Sequence, residues 1–94
     1  NQILPYIFGE FKSKDFLRFK ENVAKSKFTF TQFKTLYFFP SKRWDILTND
    51  DILIKLPQDN YFESLNLAYG AISNNDFKNK RLIDLRINNY LITK

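Results

Sequence analysis

Hydrophobic and polar residues recur along this chain with two different periods, and the longer period predicts two helices. Over residues 14–26 the apolar side chains recur at i, i+3 and i+7, which places them on one face of a helix. Ser13 is expected to cap this helix, and Asp15 lies in its first turn, where a carboxylate is favourable. Residues 61–73 repeat the pattern and predict a second helix. The predicted apolar stripes are Phe16, Phe19 and Val23 in the first helix, and Phe62, Leu65, Tyr69 and Ile72 in the second.

The shorter period, in which apolar and polar residues alternate, predicts strands between and after these helices. Trp44 and Ile46 fall on one face of such a strand, and the pattern favours a core position for Trp44. The Asn-Asp-Asp sequence at residues 49–51 is typical of a turn, so the strands on either side of it are expected to form a hairpin. Pro5 makes the first apolar segment an edge strand or an extended arm. The predicted strands are residues 3–9, 33–39, 43–48, 52–56, 81–87 and 90–93.

The order of these elements predicts the fold class. The chain reads as an arm, a helix, three strands, a helix and two strands, without the strict alternation of strand and helix that parallel α/β folds show. We therefore expect one α+β domain over residues 1–94, with a largely antiparallel sheet and two helices packed on one face. A chain of this size buries somewhat more than ~60% of the surface that it exposes when unfolded, which is enough for one core.

Composition excludes several kinds of catalytic and metal site. The chain has no Cys, His or Met, which removes disulfides, Cys/His zinc sites and imidazole catalysis. With only two glycines, a glycine-rich phosphate loop is also excluded. Asp45 and Asp84 could meet across a sheet as a carboxylate pair, although nothing in their spacing indicates it, and Asp50 and Asp51 are interpreted as turn residues. We expect an interaction domain that is not an enzyme and has no metal, cofactor or small-molecule substrate.

The net charge of +5 is distributed unevenly along the chain. Residues 12–43 carry nine bases against two acids, and residues 44–77 carry six acids against one base. The first region could bind nucleic acid or an anionic surface, which is the alternative function. It lacks the glycine-spaced basic and aromatic motif of RNA-binding sheets, and an A/T-rich genome would also produce this abundance of Lys, Asn, Ile and Phe.

The last predicted strand, residues 90–93, is the most suggestive feature for function. A strand at a sheet edge presents N–H and C=O groups to which another chain can add a strand. About five backbone hydrogen bonds, each worth about 0.5–1.5 kcal/mol, would oppose an association cost of at least ~4 kcal/mol. Strand addition alone would be weak, so Arg86, Arg43 and Lys42 are candidates for additional polar contacts. Alternatively, a neighbouring strand or further chain covers this edge.

Several short motifs, taken in order, resemble one family of bacterial cell-division proteins. The family is FtsQ/DivIB, especially its alphaproteobacterial members, whose pattern runs Arg-Arg-Trp-Asp, Asn-Gly, Lys-Leu-Pro and then Val/Ile-Asp-Leu-Arg. Two departures are present: residues 49–51 lack the usual turn glycine, and the Pro-Asp-Arg that often follows the last motif is Asn88-Asn89-Tyr90. The matching residues are 42–46, 49–51, 52–57 and 83–86, with Leu4, Pro5, Gly9 and Glu10 near the start.

The resemblance implies a longer protein, of which this chain is a segment. Such a protein is bitopic in the inner membrane, with one transmembrane helix followed by a periplasmic POTRA domain and this β domain. It is a non-catalytic divisome scaffold in septation that binds FtsB and FtsL, and FtsB adds a strand to the last strand. Arg86 would pair with an acidic residue of the partner, and Lys42 and Arg43 would form a second polar contact. The residues expected to bind the partner are Arg86, Ile87, Asn88, Asn89, Tyr90, Leu91, Ile92, Thr93, Lys94, Lys42 and Arg43.

Overall fold

The structure, a computed structural model, describes residues 4–59, 61–74, 81–86 and 92–93. Within these ranges the predicted order of helices and strands is confirmed, and the second helix has the predicted bounds. In chain order the elements are β1 (Tyr6–Phe8), α1 (Ser13–Lys25), a short 3₁₀ helix (Phe30–Gln32), β2 (Phe33–Phe38), β3 (Trp44–Thr48), β4 (Leu53–Lys55), α2 (Tyr61–Ser73), β5 (Leu82–Asp84) and β6 (Ile92–Thr93).

The six strands belong to one mixed sheet, in which the spatial order follows the chain order from β1 to β6. Three of the neighbouring pairs are antiparallel: β2–β3, β3–β4 and β5–β6. The pairs β1–β2 and β4–β5 are parallel, because a helix intervenes in each case and returns the chain to the same end of the sheet. α1 and α2 contact each other on one face of the sheet. The predicted α+β fold, with a largely antiparallel sheet and two helices on one face, is confirmed.

One row of apolar residues crosses the sheet beneath the helices. Leu36, Ile46, Ile54 and Ile83 are direct cross-strand partners on β2 to β5. All four are fully buried, as expected for branched apolar side chains that pack against their neighbours on a pleated surface. Because side chains alternate between the two faces of a strand, the residues on either side of this row point away from the helices. The row therefore defines a core face, which the helices cover, and an opposite face that α1 and α2 leave uncovered, which we call the open face.

An aromatic cluster joins α1 to the sheet. The ring centroid of Phe19, on α1, lies 4.8 Å from that of Trp44 on β3 and 6.0 Å from that of Tyr61 on α2. The ring centroid of Phe38, on β2, lies 4.7 Å from that of Trp44. Aromatic pairs at these separations contribute about 0.5–1.5 kcal/mol beyond the burial of their surface. Trp44 is buried among these rings, so its predicted core position is confirmed.

The helices differ in detail from the sequence prediction. Ser13 is the first residue of α1, so the prediction that it caps the helix is wrong. Asp15 stabilises this end instead, because its carboxylate accepts the backbone N–H of Lys12 (Oδ2–N 2.9 Å). In α2, Phe62 is only half-buried and lies under the ammonium group of Lys25, 5.7 Å from its ring centroid. The buried residues of α2 are Tyr61, Leu65 and Ala68.

Two hairpins of similar geometry connect β2, β3 and β4. The N–H of Lys42 donates to the carbonyl of Phe39, and that of Asp51 donates to the carbonyl of Thr48, both at 2.9 Å. Lys42 and Asp51 have positive φ angles of 70° and 64°. Asp tolerates this left-handed conformation because its short side chain can hydrogen-bond locally. The hairpin predicted at residues 49–51 therefore forms without a glycine.

Gly9 occupies a position that requires glycine, whereas Gly70 does not. Gly9 follows β1 with a φ of +116°, and a Cβ atom there would lie 2.2 Å from the carbonyl oxygen of Phe38. A side chain would thus be strained and would collide with the backbone of β2. Gly70 lies inside α2, where an added Cβ would meet no atom within 4 Å among the described residues outside its own stretch of helix.

We expect Gly9→Ala to lower the free energy of unfolding by about 2 kcal/mol or more, because the strain and the collision act together. Gly70→Ala is the matched control and should raise it by about 0.5–1 kcal/mol through helix propensity. Urea unfolding, followed by the fluorescence of the single Trp44, measures both. Equal effects of the two substitutions would contradict the structural role assigned to Gly9.

Candidate functional site: the β6 edge and its charged flank

β6 forms one edge of the sheet. It is the last strand in the spatial order and pairs antiparallel with β5, with Thr93 opposite Ile83 and Ile92 opposite Asp84. Among the strands that the structure describes, none pairs with the outer side of β6. The predicted binding residues 87–91 and 94 lie outside the described residues. The described part of the predicted site therefore consists of β6, Arg86 and the turn between β2 and β3.

Arg86 lies just after β5 and is bonded to Asp84, two residues earlier on the same face. Its Nε donates to both carboxylate oxygens of Asp84 (2.9 and 3.1 Å), and its Nη2 donates to Oδ2 (2.5 Å). Among the described residues none accepts a hydrogen bond from Nη1, and the side chain is 46% exposed. The guanidinium is held in place by its own chain while part of its donor set remains accessible.

The pairing of Arg86 with Asp84 changes how Asp84 titrates. Hydrogen bonds from Arg86 lower the pKa of Asp84 to about 2. Asp84 in turn raises the pKa of the Arg86 guanidinium. Asp84 is therefore ionised at neutral pH, which does not suit the role of a general acid.

Arg43 is less exposed than Arg86 and contacts three other residues. Its Nη1 pairs with Oδ1 of Asp45 and also donates to the carbonyl oxygen of Leu56 (3.3 Å). Its guanidinium carbon lies 4.7 Å from the ring centroid of Phe39, and the side chain is 17% exposed. Burial raises the pKa of Asp45, and the neighbouring Arg43 only partly offsets this shift. Arg43 thus clamps the start of β3 to the end of β4, and its contact with a partner stays a prediction.

Lys42, although adjacent in sequence to Arg43, is directed to the other face of the sheet. Its Nζ lies 3.8 Å from Oδ2 of Asp15 on α1, and 5.9 Å from the ring centroid of Phe38. α1 covers the core face, whereas Arg43 pairs with Asp45 on the open face. The two residues that the sequence grouped as one polar contact are therefore separated by the sheet.

A row of charged residues on the open face connects Arg43 to Arg86. Asp45, Lys55 and Asp84 are direct cross-strand partners on β3, β4 and β5. Arg43 and Arg86 are bonded to the two carboxylates at the ends. We call these five residues the charged row. Their signs alternate, which is favourable between neighbours across a sheet.

The charged row contains Asp45 and Asp84, the two residues considered above as a possible carboxylate pair. Asp45 and Asp84 do lie in one row, as the sequence allowed. They belong to strands that are about 10 Å apart, since neighbouring strands are separated by ~4.8 Å. Lys55 stands between them on β4, and each carboxylate is bonded to an arginine.

Lys55 has a place in the site that the sequence pattern did not reveal. It is the only charged residue of the predicted strand 52–56, and the alternation within that strand already placed it opposite the core positions. The sequence pattern did not show that β3, β4 and β5 lie side by side in this order, and this order places Lys55 between two acids. Asp84 and Arg86 are two residues apart, so the alternation within the predicted strand 81–87 already placed them on one face.

The basic region 12–43 is partly neutralised by the fold. Four of its nine bases form ion pairs with carboxylates. In the part of the chain that the structure describes, the other five have no ion pair and lie on or beside α1. The paired bases are Arg18, Lys34, Lys42 and Arg43, and the others are Lys12, Lys14, Lys20, Lys25 and Lys27.

Comparisons with known proteins do not assign this arrangement to a family. No protein-family model matches the chain, and no curated protein shows significant sequence similarity to it. In residues 4–59, 61–74, 81–86 and 92–93, no helix has the length and apolar character to cross a membrane. In the same ranges no group of three or more acidic side chains converges as a metal site would require.

The Asp84–Arg86 pair predicts a specific acid sensitivity. The pKa of Asp84 is lower in the folded chain than its usual value near 3.8. Its contribution to stability is therefore complete above about pH 5 and is lost as the pH falls toward 2. We expect Asp84→Asn to remove on the order of 1 kcal/mol of unfolding free energy at pH 7, and to remove little at pH 2.

Urea unfolding at several pH values measures this difference between the wild type and Asp84→Asn. Asp50→Asn, at an exposed turn carboxylate, is the matched control and should leave the unfolding free energy nearly unchanged at pH 7. A difference for Asp84→Asn that does not depend on pH would refute the pairing.

Proposed function

We propose that this chain is the β domain of an FtsQ/DivIB-like cell-division protein and acts as a non-catalytic scaffold of the divisome. In this proposal the whole protein is anchored in the inner membrane, the domain lies in the periplasm, and the partners are FtsB and FtsL. The observation that carries the proposal is the position of β6 at the edge of the sheet, without a described strand on its outer side. The motif at residues 83–86, which supports the family resemblance, contributes β5 and Arg86 directly beside that edge.

Strand addition at β6 requires support from side chains. Backbone hydrogen bonds to a short strand exceed the cost of association by only a few kcal/mol at best. The charged row extends across β3, β4 and β5, of which β5 is the neighbour of β6, and it can select a partner by charge. It ends at Arg86, the member of the row that is both beside the edge and half-exposed.

Arg86 can bind an acidic partner without releasing Asp84. A guanidinium carries five N–H donors in a planar fork. Asp84 occupies Nε and one Nη2 position, which leaves Nη1 to donate to a carboxylate of the incoming chain. Because Asp84 fixes the side chain in advance, less conformational entropy is lost when the partner binds. Asp84 is thus a positioning residue for Arg86.

A pair of proline substitutions tests the edge of β6 directly. In an antiparallel strand the N–H groups of successive residues point to opposite sides. One of Ile92 and Thr93 therefore donates toward β5, and the other donates outward. We expect that Ile92→Pro and Thr93→Pro differ: one variant is destabilised, while the other keeps its stability but loses binding of the added strand.

The measurement is calorimetric titration with overlapping peptides that cover the periplasmic part of an FtsB homologue, combined with thermal unfolding of each variant. If both proline variants bind as well as the wild type, strand addition at β6 is wrong.

Arg86→Ala tests the polar anchor separately. Loss of a hydrogen bond to a charged group costs about 1.5–3 kcal/mol, so we expect the FtsB peptide to bind about ten- to hundredfold more weakly. Arg18→Ala is the matched control, because Arg18 is also exposed and paired with one carboxylate, that of Asp59, but lies on α1. If the two variants bind the FtsB peptide equally well, Arg86 does not take part in binding.

A further inference from the structure

A groove on the helix side of the molecule lies apart from β6 and the charged row. It runs between α1 and residues 26–31, with a volume of about 690 Å³. Its apolar lining includes Phe16, Val23, Phe28 and Phe30. At its margin Leu4 is 71% exposed. The size falls in the range of about 300–1,000 Å³ that is typical of ligand-binding clefts.

The charge of this groove is of one sign. Among the residues that the structure describes, Lys20 and Lys27 belong to its lining and no carboxylate does. Neither lysine has an ion pair among the described residues. A second cavity, of about 510 Å³, contrasts with it: Arg18 and Lys42 line that cavity together with Asp59 and Asp15, the acids with which they pair.

The uncharged polar groups of the groove are already satisfied within the chain. The hydroxyl of Ser26 donates to the carbonyl of Val23 (2.7 Å) and accepts the N–H of Phe28 (3.1 Å). The hydroxyls of Thr29 and Thr31 bond to each other (2.8 Å). A molecule bound in the groove would therefore contact an apolar surface and two ammonium groups, because the neutral hydrogen-bonding groups are largely bonded within the chain.

We propose that this groove docks an acidic amphipathic segment of a partner polypeptide. Its apolar side chains would contact Phe16, Phe28 and Phe30, and its carboxylates would pair with Lys20 and Lys27. This is the chemistry of helix-in-groove recognition, in which an apolar stripe is flanked by charges that complement the rim. A nucleic acid or an anionic membrane would instead engage the unpaired lysines of α1 together, without selecting those two. The site is independent of strand addition at β6.

The probe is a soluble amphipathic peptide of about four helical turns. Leu residues at alternating spacings of three and four form one face of its helix, and Glu occupies all other positions. A matched peptide carries Lys in place of Glu. Titration of the ¹⁵N-labelled chain, followed by amide chemical shifts, gives the affinity and the location of binding. We expect the acidic peptide to shift signals of α1 and residues 26–31, and the basic peptide to have no effect.

Charge reversal identifies the lysines that take part. The variant with Lys20→Glu and Lys27→Glu should bind the acidic peptide at least about tenfold more weakly. Its control, Lys12→Glu with Lys14→Glu, makes the same charge change outside the groove and should bind as the wild type does. Ala24→Glu, an exposed position of α1 in the groove lining, should also prevent binding without loss of fold.

Three results would overturn the proposal. The first is no binding of the acidic peptide, and the second is equal weakening by the two double variants, which would indicate a diffuse basic surface. The third is displacement of the peptide by phosphatidylglycerol vesicles or by single-stranded oligothymidylate, which would assign these lysines to phosphate groups. Titration with the FtsB peptides reports on β6 alone, so failure at one site is distinguishable from failure at the other.

Discussion

The in-register apolar row across β2, β3, β4 and β5 is the constraint on which the rest of the structure depends. Because side chains alternate strictly along a strand, burying this row beneath α1 and α2 places the next residue of each strand on the open face. A slip of one residue in any pairing would bring part of the charged row under the helices, where unpaired charges are costly. The hydrophobic core and the charged row are therefore two consequences of one register.

The two edges of the sheet are not equivalent. β1 follows Pro5, which lacks an N–H group, and it is followed by Gly9, whose backbone is held against the carbonyl of Phe38. Prolines are a common means of preventing unwanted pairing at an edge. β6 lies at the opposite edge, beside the end of the charged row. This asymmetry supports β6 over β1 as the place where a partner strand is added.

Local patterns were reliable guides to local structure and to the core. The bounds of α2, the burial of Trp44 and the hairpin at residues 49–51 all followed from spacing and turn chemistry. The cap of α1 was misplaced because Ser13 and Asp15 are both favourable near a helix start, and only the backbone geometry selects between them. The resemblance to FtsQ/DivIB rests on motifs in the sequence, and the function that it implies stays a proposal.

The sequence by itself determined the order of the elements, the α+β class and the residues that had to be buried, because hydrophobic periodicity acts between near neighbours along the chain. Only the tertiary structure decided that Lys42 and Arg43 lie on opposite faces, that Lys55 stands between Asp45 and Asp84, and that β6 is an edge. Each of these relations depends on a contact with a residue that is distant in sequence: Lys42 with Asp15, Arg43 with Leu56, and Lys55 with Asp84. They depend on which strands become neighbours, a choice made by helix packing and register that no local pattern encodes.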